Sequence, residues 1–307
     1  MSEYHLGLRL DLEPEAKAAW GSGRDSVLKS SRVFTADNRP LPDPGFSLAQ
    51  WVLWWFNQGQ IGTCAGNAGT GATQTANIAA FNEGELFDPV QLSRAFVYYN
   101  ARKFDGLIGR GDGATCSGIF RAASEIGMCR ENSLPYRVNA RYLDTKPPQA
   151  AFDEAKDCKL LGIIDVDPSN IELRKRSIFN GHPVFVGIDW PAGWDEGLID
   201  KYGRTTGTGR PVGGHALYDI GWVIWDGKLY WHRVNSHGPI YPCPPAEIQK
   251  SIVGYACARP KDNRCYSFWV RHDLDMAQKG RNCEYLSMTG MSGFTLKNPL
   301  AWKGVMS

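Results

Sequence analysis

The stretch Asn57-Gln58-Gly59-Gln60-Ile61-Gly62-Thr63-Cys64-Ala65-Gly66-Asn67-Ala68 decides how the chain is read. An apolar run over 51–56 leads into it, and an Ala/Gly/Thr/Gln segment over 66–81 leads out. The glycines make the quoted stretch a tight loop, and the segment after it predicts a helix of small residues. Cys64 therefore sits where a helix begins. The first turn of a helix carries unpaired N–H groups and a partial positive charge. A thiolate there is expected to be favoured and its pKa lowered. Its chemistry needs a base from elsewhere in the chain.

Two downstream segments offer one. Gly213-Gly214-His215-Ala216-Leu217 opens a strand-like run, and Tyr230-Trp231-His232-Arg233-Val234-Asn235-Ser236-His237-Gly238 closes the next. Asp226-Gly227 between them is a strong hairpin turn. A hairpin returns its two ends to one place, so His215 and Asn235 are expected to meet. His232 and His237 flank Asn235 and stand as rival bases. Asp219, on the same strand face as His215, stands as a rival orienting group.

These residues resemble the papain-like cysteine peptidases. That family's pattern is Gln, then Cys six residues on, then His in a Gly-His-Ala context, then Asn in Asn-Ser-Trp-Gly. Here the positions fall on Gln58, Cys64, His215 and Asn235, in the family's order. The sequence departs from the family where Ile61 and Ala65 replace a cysteine and an aromatic residue. It departs again where His237 replaces the tryptophan that shields the His–Asn hydrogen bond.

The resemblance implies an α+β fold of two lobes, one helical and one rich in antiparallel strand, with a cleft between them. It implies Cys64 as nucleophile and His215 as the base that takes the thiol proton and hands it to the leaving amine. Asn235 would fix the ring, and Gln58 would stabilise the oxyanion with the Cys64 backbone N–H. The glycine-rich loop over 106–113 would line the cleft through Gly111 or Gly113, with Gly214 on the facing wall. The implied activity is peptide-bond hydrolysis through a thioester acyl-enzyme, on a polypeptide substrate, with no cofactor and no metal. Two other readings stay open. One is a structural or virion-associated protein on this fold with weak or no activity. The other is a Cys–His amidase or cell-wall hydrolase.

The chain has 307 residues, 43% apolar and 21% charged, with a net charge of +2. This is a globular composition, which excludes disorder and gives no electrostatic case for a nucleic-acid partner. No apolar run reaches the roughly 18 residues of a membrane span. The residues after Met1 lack the apolar core of a secretory signal. A cytoplasmic location is expected, with a viral particle as the other setting; the oligomeric state is not encoded. None of the eight cysteines is spaced Cys-x-x-Cys, so neither a zinc site nor a disulfide is expected.

Three regions follow from these readings. Residues 1–50, polar and dotted with Pro14, Pro40, Pro42 and Pro44, predict an extended arm wrapped on the body, or a short inhibitory propeptide. Residues 51–260 form the catalytic domain, and 261–307 a C-terminal extension packed on it. Periodicity and stop signals predict helices over 117–127, 149–156 and 170–179. Strands are expected over 160–166, 184–190, 252–258 and 265–271, and a surface loop over 189–211.

Overall fold

A computed structural model describes residues 5–30, 38–82, 89–195, 197–257, 262–278, 280, 282–288 and 291–292. The helical lobe is built from α1 (Glu13–Trp20), α2 (Cys64–Asn82), α3 (Arg94–Phe104) and α4 (Cys116–Arg121). The small residues of α2 let it run through the centre of the molecule. A side chain at Gly66, Gly69 or Gly71 would press on Tyr98 of α3, Ile119 of α4 or Tyr218 of the sheet. Capping hydroxyls set two of the helix starts. Ser93 accepts from the Phe96 N–H, and Thr115 accepts from the Gly118 N–H.

The second lobe is a sheet centred on one long strand. Its strands are β1 (Gly45–Ser47), β2 (Ile163–Asp165), β3 (Val184–Pro191), β4 (Pro211–Trp225), β5 (Lys228–Val234), β7 (Ile252–Val253), β9 (Ser267–Arg271) and β10 (Glu284–Met288). They run in the order β2-β10-β3-β4-β1-β7, with β5 on the other edge of β4 and β9 beyond it. β6 (Tyr241–Pro242) and β8 (Arg264–Cys265) form a separate two-stranded sheet. The β4–β5 hairpin turns at Asp226 and Gly227, whose φ angles of 51° and 71° are those of the tight primed turn that suits twisted strands. α5 (Ile171–Phe179) starts at Asn170, whose side chain accepts from the Leu173 N–H.

Several expectations are corrected here. Residues 1–50 are not extended throughout. Pro14 lies in the first turn of α1, where its missing N–H has no intrahelical partner to lose. A second short helix, Ser22–Val27, follows, and β1 joins the main sheet. The 117–127 helix starts at Cys116 and widens to a π turn over Ala122–Ile126. The strand expected over 252–258 shrinks to β7. Within 189–211, Trp190 and Trp194 are fully buried, so this stretch is anchored in the core. β9 and β10, from the stretch read as a C-terminal extension, pair with β5 and β3.

Candidate active site

Cys64 opens α2, and His215 lies near the start of β4, the strand against which α2 packs. Both are fully buried. His215 Nε2 lies 2.8 Å from Asn235 Oδ1. Asn235 Oδ1 also accepts from the Ser236 N–H (2.7 Å), and its Nδ2 donates to the Tyr241 hydroxyl (2.5 Å). This network fixes the amide orientation, so Nε2 is the ring nitrogen that carries hydrogen. Among the described residues, Nδ1 of His215 is buried without a hydrogen-bond partner. The hairpin thus joins His215 and Asn235, which were read from its two ends. The ring also meets Trp190 from the neighbouring strand, edge to face, with centroids 4.7 Å apart. Trp190 was not foreseen. It covers His215 although the sequence has His237 at the family's tryptophan position.

The rivals are placed elsewhere or in supporting roles. His232 is clamped between the hydroxyls of Ser47 and Ser267, each 2.8 Å from a ring nitrogen, and stacks on Trp269. Burial pushes its pKa down to about 3. Asp219 is fully buried and bound by Arg174 and Arg233, so it does not orient His215. His237 packs against His215 with centroids 4.5 Å apart, and its Nδ1 meets Asp195 at 2.6 Å. Asp195 also accepts from the Trp190 indole (3.0 Å).

Gln58 is held on all sides. Its Oε1 accepts from the Ser236 hydroxyl (2.6 Å), and its backbone N–H donates to the Ser236 carbonyl (2.8 Å). Its Nε2 donates to the carbonyls of His5 (2.8 Å) and Ile61 (2.9 Å). The glycine-rich loop at Gly113 is tied to the Cys64 loop by Tyr98, which donates to the Gly62 carbonyl (3.1 Å) and accepts from the Gly113 N–H (2.8 Å).

The His5 contact belongs to a strand-like strap of the N-terminal region that lies across the cysteine. Leu8 N–H donates to the Gly214 carbonyl, and Ala114 N–H donates to the Gly7 carbonyl, each at 3.0 Å. Arg9 N–H donates to the Ala114 carbonyl, also at 3.0 Å. The strap runs antiparallel to the Gly214 wall and parallel to the Ala114 wall. Of the three expected cleft residues, Gly214 pairs with the strap. On the other wall the pairing falls on Ala114 rather than on Gly113 or Gly111. The Gly113 and Gly111 carbonyls accept instead from Arg102 (2.8 and 2.6 Å).

The strap reverses the expected electrostatics. Burial pushes the Cys64 thiol up to about 11, against the N–H groups of Ala216, Gly7, Ala65 and Cys64 itself, which favour the thiolate. The helix start is present, yet desolvation outweighs it. Burial, followed by the neighbouring His237, holds His215 well below the ordinary histidine range. With the strap in place both groups are neutral.

The cysteines also depart from expectation. The Cys243 and Cys265 sulfurs are joined as a disulfide, brought together by the β6–β8 pairing of Tyr241 with Cys265. Cys257 lies against both. Among the described residues, this trio is the only set of three His, Cys, Asp or Glu ligand atoms that converges in a way able to hold a metal. The expectation of isolated thiols and no metal-type cluster followed local spacing. The trio is assembled from three short stretches 8 to 22 residues apart, at spacings no Cys-x-x-Cys pattern covers.

No known family description matches the sequence. A peptidase C1-like protein of Acanthamoeba polyphaga mimivirus is 28% identical over 176 residues, 54% of this chain and 55% of that protein. The match thus spans about half the length of the curated relative. The solved structure of xylellain, a cysteine protease from Xylella fastidiosa, superposes with a TM-score of 0.64 at 20% identity, over 85% of this chain and 89% of that one. The digestive procathepsin L 3 of Tenebrio molitor superposes with a TM-score of 0.57 at 15% identity, over 91% and 88%. The fold is papain-like. Its α+β, two-lobed build puts Cys64 of this papain-like chain at the mouth of the central helix and His215 on the central strand. No helix among the described residues is long and apolar enough to cross a membrane.

Proposed function

We propose that this chain is a cysteine peptidase whose own N-terminal strap holds it latent. One observation carries the reading: an extended peptide lies over Cys64, hydrogen-bonded to Gly214 and Ala114, with a carbonyl on the Gln58 amide. A cleft that binds a backbone in this way selects polypeptide. Once the strap leaves, water reaches the site, and the burial that keeps Cys64 and His215 neutral is relieved. His215 Nδ1 then takes the Cys64 proton, and the thiolate attacks the substrate carbonyl. The developing oxyanion is met by Gln58 Nε2 and the Cys64 N–H. The imidazolium returns its proton to the leaving amine, leaving a thioester that water hydrolyses with His215 as base. Asn235 holds the ring throughout, shielded by Trp190.

The test compares the full chain with one lacking residues 1–12, on a mixed peptide library. The shortened chain should cleave peptides and lose all cleavage on Cys64→Ala. Cleavage that survives Cys64→Ala would refute the reading. A virus-encoded relative supports association with a viral particle as the setting. Mass spectrometry of purified particles from the source would detect the chain there.

A further inference from the structure

Away from the cleft, three cysteines converge from three separate stretches. Cys243 follows β6, Cys265 ends β8, and Cys257 comes from the segment after β7. The Cys257 sulfur lies 3.1 Å from that of Cys243 and 3.0 Å from that of Cys265, and all three ligand atoms fall within 4.8 Å of one another. Cys265 is buried and the other two are half-buried. A disulfide accounts for two of these sulfurs and gives no reason for a third to sit equidistant from both. A shared soft cation does. Thiolates about 2.3 Å from a tetrahedral zinc lie about 3.8 Å from one another, so the two Cys257 distances need to open by under about 1 Å, while the Cys243 and Cys265 sulfurs part when their disulfide is reduced. The Cα atoms of Cys243 and Cys265, 5.9 Å apart, suit either a disulfide or a pair of metal ligands.

We propose that, in the reduced protein, Cys243, Cys257 and Cys265 together bind one zinc ion, with solvent in the fourth position. Three thiolates select a thiophilic cation over magnesium or calcium. The Cys243–Cys265 disulfide is the oxidised, metal-free form of the same cluster: a dithiol reductant gives it two electrons and two protons and is itself oxidised to a disulfide, and zinc then displaces the thiol protons. The site closes the small β6–β8 sheet, and that sheet reaches the catalytic side of the molecule. Tyr241, paired with Cys265, accepts from Asn235 and stacks on Phe268 with centroids 4.4 Å apart. Zinc would therefore brace the residue that holds Asn235. The proposal goes beyond the peptidase reading, and its first readout is metal content.

The test uses the full chain in a Cys64→Ala background, which removes the cleft thiol as a competing ligand. Protein purified with a reductant and without chelator should carry one zinc per chain by elemental analysis. Replacement by Co²⁺ should give thiolate-to-cobalt charge-transfer absorption. Cys257→Ser should weaken zinc binding by more than about 100-fold, beyond the loss typical of an outer-shell change, with circular dichroism reporting whether it folds. Reduced protein that carries no zinc and takes up none from added Zn²⁺ overturns the proposal, whatever the variant does. So does a folded Cys257→Ser that keeps full zinc.

Discussion

Gln58 is the residue whose surroundings speak most directly to chemistry. Ser236 holds its Oε1, and one of its amide hydrogens faces a peptide carbonyl supplied by the strap. Losing one such donor typically costs about 10²–10³ in kcat. In the chain lacking residues 1–12, Gln58→Ala should lower kcat by that factor while iodoacetamide still labels Cys64. Equal loss of labelling would mean that the change had damaged the thiol site rather than the oxyanion site. The order Gln58, Cys64, His215, Asn235 was legible in sequence because each stands in a short context and the Asp226-Gly227 turn pairs the last two. Trp190 was not legible. Its contact with His215 depends on the β3–β4 register, which pairs Ile188 with His215. Nothing local to a polar, glycine-rich stretch announces that register.

At the scale of elements, the strap and α1 act as one clamp. Gly7 packs so closely on the cysteine loop that a Cβ there would overlap the Gly62 carbonyl oxygen. Gly7→Leu should expel the strap and raise Cys64 alkylation at pH 7 by at least about tenfold, on the scale of 1.4 kcal/mol per decade. Unchanged alkylation would show that the strap does not seal the thiol. Four residues after Arg9 of the strap, Glu13 is buried against the start of α4. It accepts from the N–H groups of Cys116 (2.7 Å) and Ser117 (3.0 Å) and from the Ser117 hydroxyl (2.6 Å). Burial first, with the charge of Glu284, pushes its carboxyl up to about 7, against those hydrogen bonds.

A carboxyl that titrates higher when docked than its ordinary 4.5 takes up a proton on docking. Docking is then strongest below about pH 4.5 and weakens as pH rises through 7, by up to about 3 kcal/mol. Hydrogen exchange at the Leu8 and Arg9 amides, compared with a Glu13→Gln chain, isolates this effect from intrinsic exchange. The difference should open between pH 5 and 8; identical profiles would remove Glu13 from the mechanism. The sequence shows an arm with a possible inhibitory role. It does not show where the arm lies, because the pairing of Leu8 with Gly214 and Ala114 is a long-range register without a local signal.

For the whole molecule, the lobes depend on charges the sequence does not reveal as buried. Arg174 of α5 and Arg233 of β5 share Asp219 of β4 and Asp275 of the helix His272–Ala277, all fully buried. The Arg174 guanidinium also lies 4.0 Å over the Trp231 ring. Strand alternation puts Asp219 on the face of His215, which makes it a rival orienting group in the sequence. Its actual partners, Arg174 and Arg233, come from two other elements. Such a set is not the source of net stability, since desolvation offsets the attraction, yet removing one member leaves uncompensated charge in the core. Arg233→Leu should therefore destabilise the fold by about 3–5 kcal/mol, read as a lowered urea midpoint. Burial raises the Asp275 carboxyl, but Arg233 and then Arg174 overcome it and hold it down at about 2. A depressed carboxyl contributes stability above its ordinary value of 3.8 and loses that contribution as pH falls through 2. In the intact quartet Asp275 therefore stays charged between pH 5 and 8, but in Arg233→Leu burial acts on a carboxylate that has lost its main partner, and protonation relieves it, so the deficit should shrink as pH falls from 8 to 5. A deficit that stayed constant across that window would mean that Arg174 alone keeps both carboxylates charged, and the cost of the change would then lie in lost packing rather than in unbalanced charge.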